Sequence, residues 1–247
     1  MRQLLPRPLD HVDPAEALHA LAAEAVGLVL ALNMVASIDG ATAVAGRSGG
    51  LGSPSDKAVF RALRDAADVI LVAAGTARAE GYGPPRTSPE AQAIRVAAGR
   101  APHPRIAVVS ASLDLDPTTT MFREAPEPPL VLTSDDADAA RAKALGEVAE
   151  VVRLGRGLVA PEALVAALRD RGVGPVICEG GPTLNGMLVA AGVVDRVHLT
   201  TAPMMVGGSS LRVAVGAEER VLDFELASLW WAPDDEALFA RYDRRQP

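Results

Sequence analysis

A glutamate, two glycines and a proline stand at residues 179–182, directly after the apolar run Pro175–Cys178. The run predicts a buried strand, and a proline at the first helical position predicts that a helix, Pro182–Ala191, follows it. The first backbone N–H groups of such a helix are free to bind an anion, and the glycines allow it to approach closely. The pattern indicates a pyrophosphate site, although it also fits an ordinary tight turn, and it is neither a P-loop nor a GxGxxG motif.

Two other predicted strands end in residues that could contribute to the same site. Asp39-Gly40 comes shortly after the apolar strand Leu28–Ala36, and Gly75-Thr76 comes after the strand Val69–Ala73. Open α/β sheets bind their ligands beyond the carboxyl ends of the strands. Each feature alone has a structural alternative, since Asp-Gly is a common turn and threonine a common helix N-cap. Three such strand ends in one sheet favour a shared ligand site.

These strand ends need a sheet to bring them together, and the order of the elements predicts one. Strands alternate with helices, which is typical of a mostly parallel sheet covered on both faces. After Leu211 strands are expected to close the sheet in antiparallel fashion. The predicted fold is a three-layer α/β/α domain over residues 28–247, after an N-terminal extension with one helix over residues 1–27. The other predicted strands are Arg105–Ser110, Leu130–Thr133, Val148–Leu154 and Val193–Thr200, and the other predicted helices are 53–67, 89–98, 136–146 and 161–171.

Composition excludes several other classes of function. The net charge of −7 disfavours nucleic-acid binding, because the chain would repel a phosphate backbone. The longest apolar run, residues 25–32, is far shorter than the roughly 20 residues of a membrane span. The single cysteine suits a reducing compartment, so we expect a cytoplasmic protein. The four histidines are scattered without paired spacing, so no metal site is predicted.

Taken together, the motifs resemble those of the reductase domain of the bifunctional riboflavin-biosynthesis enzymes, whose fold is similar to that of dihydrofolate reductase. The resemblance covers the chain from about Leu28 to its C-terminus. Its most specific part is the run Glu179–Asn185 together with the downstream segment Ala190–Asp195. The other matching segments are Asn33–Gly40, Thr42–Pro54, Leu63–Arg64, Asp68–Thr76 and Ala202–Gly208.

The resemblance implies a function and a set of site residues. The implied reaction is NADPH-dependent hydride transfer to C1′ of a phosphoribosylamino pyrimidine, which gives the ribitylamino product, as in 5-amino-6-(5-phosphoribosylamino)uracil reductase. The residues implied for the substrate are Ser48, Arg64, Arg86 and Glu179. Those implied for the cofactor are Val35, Gly50, Thr76, Glu80, Ser110, Gly180, Gly181, Pro182, Thr183, Leu184 and Asn185.

The chemistry of several of these side chains agrees with the implied roles. Arg64 suits a substrate phosphate, although it could equally be a solvated helix arginine. Glu179 could accept hydrogen bonds from the pyrimidine N–H groups, or could simply favour the start of a helix. Ser110 stands where an NAD-specific site would place an acid that binds the ribose 2′-hydroxyl. Asp39 is the candidate for orienting or protonating the substrate, with a turn residue as the alternative.

Some positions depart from the family's pattern and keep other functions open. Asn33 stands where the family often has lysine, Glu80 where it has aspartate, and Gly50 where some members have a bulky aromatic residue. The zinc motif of the deaminase half is absent from the sequence. A dihydrofolate reductase-like pterin reductase and a non-catalytic NADP-binding protein are therefore the alternatives. The alternating C-terminal stretch with Trp230 and Trp231 predicts a homodimer, because such strands leave an edge or face to cover.

Overall fold

The computed structural model describes residues 1–217 and 219–245, and the predicted end of the domain at residue 247 lies outside them. One sheet contains ten strands in the order β1-β9-β10-β8-β2-β7-β3-β4-β5-β6. The strands are β1 (Arg2–Leu5), β2 (Val29–Ser37), β3 (Val69–Ala73), β4 (Arg105–Val109), β5 (Leu130–Thr133), β6 (Glu150–Arg153), β7 (Pro175–Cys178), β8 (Arg196–Ala202), β9 (Phe224–Ala232) and β10 (Ala237–Arg244).

The strands from β8 through β2 to β6 pair in parallel, which confirms the predicted mostly parallel sheet. Alternate residues of β3 enter different cores. Ile70 and Val72 pack into the core on one face of the sheet, whereas Val69 and Leu71 pack into the core on the other. A strand buried on both faces has no polar side to display, which explains why these strands are continuously apolar in the sequence.

Helices cover both faces and complete the predicted three layers. Several helices have a proline in the first turn, directly after an N-cap residue, as at Asp13, Ser53 and Ser88. The side chain of the N-cap residue accepts hydrogen bonds from N–H groups that the helix itself leaves free. None of the helices in residues 1–217 and 219–245 is both long and apolar enough to cross a membrane. The helices are α1 (Pro14–Ala23), α2 (Pro54–Ala66), α3 (Ala74–Glu80), α4 (Pro89–Ala97), α5 (Thr120–Arg123), α6 (Ala139–Leu145), α7 (Pro161–Arg169) and α8 (Pro182–Ala191).

The sequence-based bounds differ from the structure at two notable places. The helix α3 begins directly at the end of β3, where only a turn with a capping Thr76 was expected, so Thr76 lies inside the helix. This helix is only seven residues long and consists mainly of small residues, which give no apolar periodicity. The strand β1 was also not predicted, because its four residues are mostly exposed.

The antiparallel half of the sheet includes the N-terminal segment. As predicted, β9 and β10 close the sheet in antiparallel fashion against β8. Beyond them, β1 pairs with β9, so the segment predicted as an extension contributes an edge strand. Trp230 Nε1 donates to Gln3 Oε1 at 3.1 Å, and the Arg2 guanidinium lies 5.9 Å from the Trp231 ring centre. The chain's own N-terminus therefore contacts both tryptophans, while the mostly exposed β1 becomes the edge of the sheet, and the homodimer stays a prediction.

Candidate functional site

A cavity of about 750 Å³ lies at the carboxyl ends of β2, β3 and β7. Its walls come from the first turns of α2, from α3, from the start of α8 and from the loop at residues 206–211. Strand ends far apart in the sequence meet here because parallel strands direct their carboxyl ends to one edge of the sheet. The predicted site residues that line the cavity are Val35, Ser48, Thr76, Glu80, Glu179, Gly181 and Pro182.

Glu179, directly after β7, carries a buried carboxylate in the cavity wall. Its side chain is 3% exposed, and Arg64 donates to it from Nε at 2.7 Å and from a terminal nitrogen at 2.6 Å. The Tyr82 hydroxyl donates to the same carboxylate at 2.6 Å. A bidentate arginine and a hydroxyl offset the cost of burying this charge, so the carboxylate is held in a fixed orientation.

These contacts set the protonation states of the partners of Glu179. Burial by itself would lower the pKa of Arg64, but the hydrogen bonds and the charge of Glu179 outweigh it and raise the pKa. Burial and the nearby carboxylate raise the pKa of Tyr82 well above its ordinary value. At neutral pH the cluster therefore contains a charged arginine and a neutral tyrosine. The guanidinium of Arg64 is engaged by Glu179 and is not among the groups that line the cavity, so the geometry does not support its predicted role as a phosphate clamp.

The turn after Glu179 brings the start of α8 against α3. A β-carbon at Gly181 would lie 2.6 Å from Thr76 Oγ1, and Gly180 has a φ of +89°, so glycine is required at both positions. Gly181 is the N-cap of α8 and provides no side-chain hydrogen bond. Because Pro182 has no N–H group, Thr183 and Leu184 carry the first free N–H groups of the helix. This helix start borders the cavity, as an anion-binding site requires.

Ser48 and Glu80, predicted for substrate and cofactor respectively, bind each other. Glu80 Oε1 accepts hydrogen bonds from the Ser48 backbone N–H at 2.8 Å and from its hydroxyl at 3.0 Å. The contact attaches the single 3₁₀ turn Ser48–Gly50 to the end of α3. Gly50 itself lies against Val44, where a β-carbon would be 2.9 Å from the Val44 β-carbon, while its neighbour Gly49 lines the cavity.

Asp39 has a different environment from the one its predicted role requires. Its exposed carboxylate accepts hydrogen bonds from the Ser37 hydroxyl and from the backbone N–H groups of Val206, at 3.2 Å, and Gly207, at 2.8 Å. The Ser37 hydroxyl and these N–H groups lower the pKa of Asp39 to about 2. A carboxylate that is ionised throughout the neutral range is a poor proton donor. These contacts indicate that Asp39 positions the loop at residues 206–207, and they do not support a role as the proton donor.

Five other predicted residues do not line the cavity through their side chains, and Thr183, in the first turn of α8, is one of them. The exposed Arg86 forms an ion pair with Glu124 at 3.1 Å. The Ser110 hydroxyl is buried after β4 and accepts the Leu113 N–H at 3.0 Å. Leu184 packs in the core. The remaining residue, Asn185, is fully buried and donates to the Val213 carbonyl at 2.8 Å, so it holds a loop against α8.

The structure adds cavity residues that the sequence patterns did not identify. Asp56, Lys57 and Phe60 line the cavity from the first turns of α2, and Tyr82 lines it from the loop after α3. Asp56 follows Ser53 by three residues, and this spacing is typical of a helix N-terminal cap. The sequence therefore gave no reason to assign Asp56 any other role. Tyr82 has no motif around it, because only the fold brings it to Glu179.

Comparison with known proteins supports the resemblance. The profile of the family described as the RibD C-terminal domain matches residues 28–236. The 2,5-diamino-6-ribosylamino-4(3H)-pyrimidinone 5′-phosphate reductase of Methanothermobacter thermautotrophicus is 31% identical over 188 residues, which cover 76% of this chain and 83% of that protein.

Solved structures agree with the profile. A crystal structure of a pyrimidine reductase-like protein from Corynebacterium diphtheriae matches with a TM-score of 0.87 and 26% identity, covering 96% of this chain and 100% of that one. Dihydrofolate reductase from Enterococcus faecalis, complexed with NADP(H), matches with a TM-score of 0.53 and 14% identity, covering 90% of this chain and 100% of that one. The predicted dihydrofolate reductase-like fold is confirmed.

Proposed function

The chain belongs to the RibD C-terminal domain family, and we propose on this basis that it is an NADPH-dependent reductase of a phosphoribosylamino pyrimidine. Its relative from Methanothermobacter is named for a substrate of this class, a ribosylamino-pyrimidinone 5′-phosphate. The observation that carries the proposal is the pairing of a fixed carboxylate, Glu179, with an uncapped helix start in one cavity. The first suits the N–H groups of a heterocycle, and the second suits the phosphates of a nucleotide.

The residues around the helix start fit a nicotinamide dinucleotide. The N-cap Gly181 has no side chain of its own, and a β-carbon there would lie 2.6 Å from Thr76 Oγ1, so the start of α8 presents backbone at this point. The residue that follows β4 is Ser110, whose buried hydroxyl accepts the Leu113 N–H, so this position lacks the acid of an NAD-specific site. Nearby, Arg141 donates to the Ser112 carbonyl at 3.1 Å, and Arg78 lies 3.5 Å from the Asp114 carboxylate. A serine with arginines close by favours a 2′-phosphate over a free 2′-hydroxyl, which supports NADPH.

Such a cofactor supplies a hydride, and the protein supplies position and charge. When bound, it would reduce the C1′=N bond of the ring-opened ribosylamino group, with its hydride going to C1′ and a proton from solvent going to the nitrogen. Glu179 orients the heterocycle by accepting hydrogen bonds from its N–H groups. Arg64 and Tyr82 hold that carboxylate in a fixed orientation.

The substrate phosphate needs a cation, and Arg64 is already paired. Lys57 lines the cavity from the first turn of α2, where the helix dipole also favours an anion. The side chain of Lys57 is exposed, so it can reach a phosphate without losing a structural contact. We therefore assign the phosphate to Lys57 in place of Arg64.

The proposal is tested by following NADPH oxidation with the phosphoribosylamino pyrimidine and, separately, with dihydrofolate. We expect turnover with the pyrimidine, a ribitylamino product identified by mass spectrometry, and a lower KM for NADPH than for NADH. Turnover with dihydrofolate alone would instead support the pterin reductase. Tight NADPH binding without oxidation by either compound would support the non-catalytic alternative.

A further inference from the structure

A second cavity, of about 270 Å³, lies between α1 and the antiparallel half of the sheet. Residues of β1, α1, α2, β2, β8, β9 and β10 form its walls. Among the described residues, Asn33 alone also lines the cavity at the carboxyl ends of β2, β3 and β7. The second cavity is therefore a separate compartment that borders the candidate functional site.

The register of the sheet places four polar residues side by side in this second cavity. His198 of β8 pairs with Asn33 of β2 on one side and with Arg241 of β10 on the other. Arg241 in turn pairs with Ser228 of β9, and all four residues line the second cavity. A sheet face that packs against a core is normally apolar, so this polar row is an exception that packing does not explain.

The polar row receives almost no hydrogen bonds from the protein. His198 and Ser228 are each only 8% exposed, and neither side chain forms a hydrogen bond with any residue in the ranges 1–217 and 219–245. The Arg241 Nε atom is also buried and has no partner in those ranges. A terminal nitrogen of Arg241 lies 3.4 Å from Asp243 Oδ2, but Arg196 already donates to the other oxygen of that carboxylate at 2.7 Å. Buried polar groups cost free energy unless they are bonded, so the row is suited to a ligand that bonds to it.

The charges around the polar row favour a neutral ligand. Burial, together with the charges of Arg196 and Arg241, lowers the pKa of His198 to about 3, so its ring is uncharged at neutral pH. Burial also lowers the pKa of Arg241, and the charges of Asp243 and Glu24 oppose this effect. Glu24 lines the second cavity from the C-terminal end of α1. Two carboxylates thus balance the two arginines, and an anion would be repelled by Glu24.

The remaining walls of the second cavity favour a flat ligand. Trp230 and Phe239 are paired in the next row of the sheet, and Leu18 and Leu21 contribute from α1. Indole and phenyl rings pack well against flat ring systems. The volume is below the roughly 300–1,000 Å³ of sites for drug-sized ligands, so a molecule of one or two rings fits.

We propose that the second cavity is a binding site for a neutral, planar cyclic amide of one or two rings, held by Arg241, His198 and Asn33. The Arg241 Nε–H group requires an acceptor, which the carbonyl oxygen of such a ring supplies. The uncharged imidazole of His198 and the amide of Asn33 can each donate and accept, so they match a ring with adjacent C=O and N–H groups. The inference is independent of the proposed reductase function, because the site lies in a different cavity.

The two tryptophans of the chain provide the readout and its internal control. Trp230 lines the second cavity, whereas its neighbour Trp231 points to the other face of the sheet. Titration with uracil is followed through the two indole N–H signals in ¹H–¹⁵N correlation spectra, which Trp231→Phe assigns. We expect uracil to shift the Trp230 signal saturably and to leave the Trp231 signal unchanged. Benzoate, which is charged, and toluene, which forms no hydrogen bonds, should bind at least about 10-fold more weakly.

Three variants separate binding from folding. Arg241→Met removes the Nε–H donor and should weaken uracil binding by at least about 10-fold. His198→Leu should weaken it as well while leaving the melting temperature equal or higher, because no described residue bonds to the ring. Ala17→Leu fills the second cavity from α1 and should abolish the shift without changing a polar group. Tyr242→Phe is the matched control, since Tyr242 is adjacent to Arg241 but does not line the second cavity, and it should bind uracil as the wild type does.

Two kinds of result would overturn the inference. One is the absence of a saturable Trp230 shift with uracil, or binding of benzoate or toluene as tight as that of uracil. The other is wild-type uracil affinity in Arg241→Met, His198→Leu or Ala17→Leu. Either result would mean that water satisfies the polar row, and neither would affect the proposed reductase function.

Discussion

The two carboxylates on the cavity wall, Glu179 and Asp56, differ in what the protein gives them. Glu179 is bound by a bidentate arginine and a tyrosine hydroxyl, so its charge is neutralised within the fold. Asp56 has one hydroxyl neighbour and no ion-pair partner among the described residues, and burial raises its pKa. The first carboxylate is a fixed acceptor, whereas the second lies in the cavity wall without an ion-pair partner among the described residues.

The comparison predicts that substitutions around Glu179 and at Asp56 change the free energy of unfolding in opposite directions. A charge that the fold neutralises leaves an unpaired charge behind when its partner is removed, so the protein loses stability. A charge that the fold does not neutralise lowers stability while it is present, so its removal should raise stability and reduce function.

The largest expected effect is that of Arg64→Ala. It would leave the 3%-exposed carboxylate of Glu179 without its cation and should reduce the free energy of unfolding by about 3–5 kcal/mol at neutral pH. Urea unfolding followed by circular dichroism measures this loss. The double variant Arg64→Ala/Glu179→Gln is the control, and it should recover part of the stability. A double variant as unstable as the two single variants added together would show that the pair is not coupled.

Tyr82→Phe removes the second donor to Glu179 and should have a smaller effect. The hydroxyl donates at 2.6 Å to a charged acceptor, a bond that typically contributes about 1.5–3 kcal/mol. Because Arg64 still binds both oxygens, we expect a loss at the lower end of that range in the same urea experiment. A loss as large as that of Arg64→Ala would mean that the tyrosine, and not the ion pair, fixes the carboxylate.

Asp56→Asn should raise thermal stability at neutral pH. Burial raises the pKa of Asp56 in the folded state above its unfolded value, so the ionised form costs free energy of folding once the pH exceeds the folded pKa. Below the unfolded pKa both states are protonated and the cost disappears. The gain from asparagine should be on the order of 0.5–2 kcal/mol at pH 7 and vanish near pH 3. Melting temperatures of both proteins across this range measure it, and a lower Tm for the variant at pH 7 would contradict it.

The parallel half of the fold could be predicted from the sequence because burial on both faces leaves a strong signal. The bounds of β3, β5, β7 and α8 agree with the structure to the residue. The N-terminal strand β1 could not be predicted, since it depends on an edge that β9 provides from the other end of the chain. Its four mostly exposed residues carry no pattern of their own.

The position of the site was also predictable, whereas the partners of its side chains were not. Strand ends at Thr76 and Glu179 indicated the correct edge of the sheet. Hydrogen-bond partners depend on contacts between distant residues, such as Arg64 with Glu179 or Asp39 with Gly207. For this reason the sequence indicated Asp39, from its place after a strand, as the candidate for orienting or protonating the substrate, and it did not indicate Asp56, which lines the cavity.

Asp39→Asn should have the smallest effect of the four substitutions. It distinguishes a residue that positions the loop from one that transfers a proton. The Ser37 hydroxyl and the Val206 and Gly207 N–H groups lower the pKa of Asp39 to about 2, so we expect an ionised carboxylate that holds these two N–H groups at the cavity rim throughout the neutral range. Asparagine keeps one acceptor oxygen, so we expect a several-fold rise in KM, little change in kcat and an unaltered pH profile. Asp116→Asn is the control, because Asp116 also accepts hydrogen bonds within an exposed turn, but from Thr118, which does not line the cavity as Val206 and Gly207 do. A fall in kcat of about 10²-fold or more at constant KM, the size expected for a lost general acid, would return the proton-donor role to Asp39.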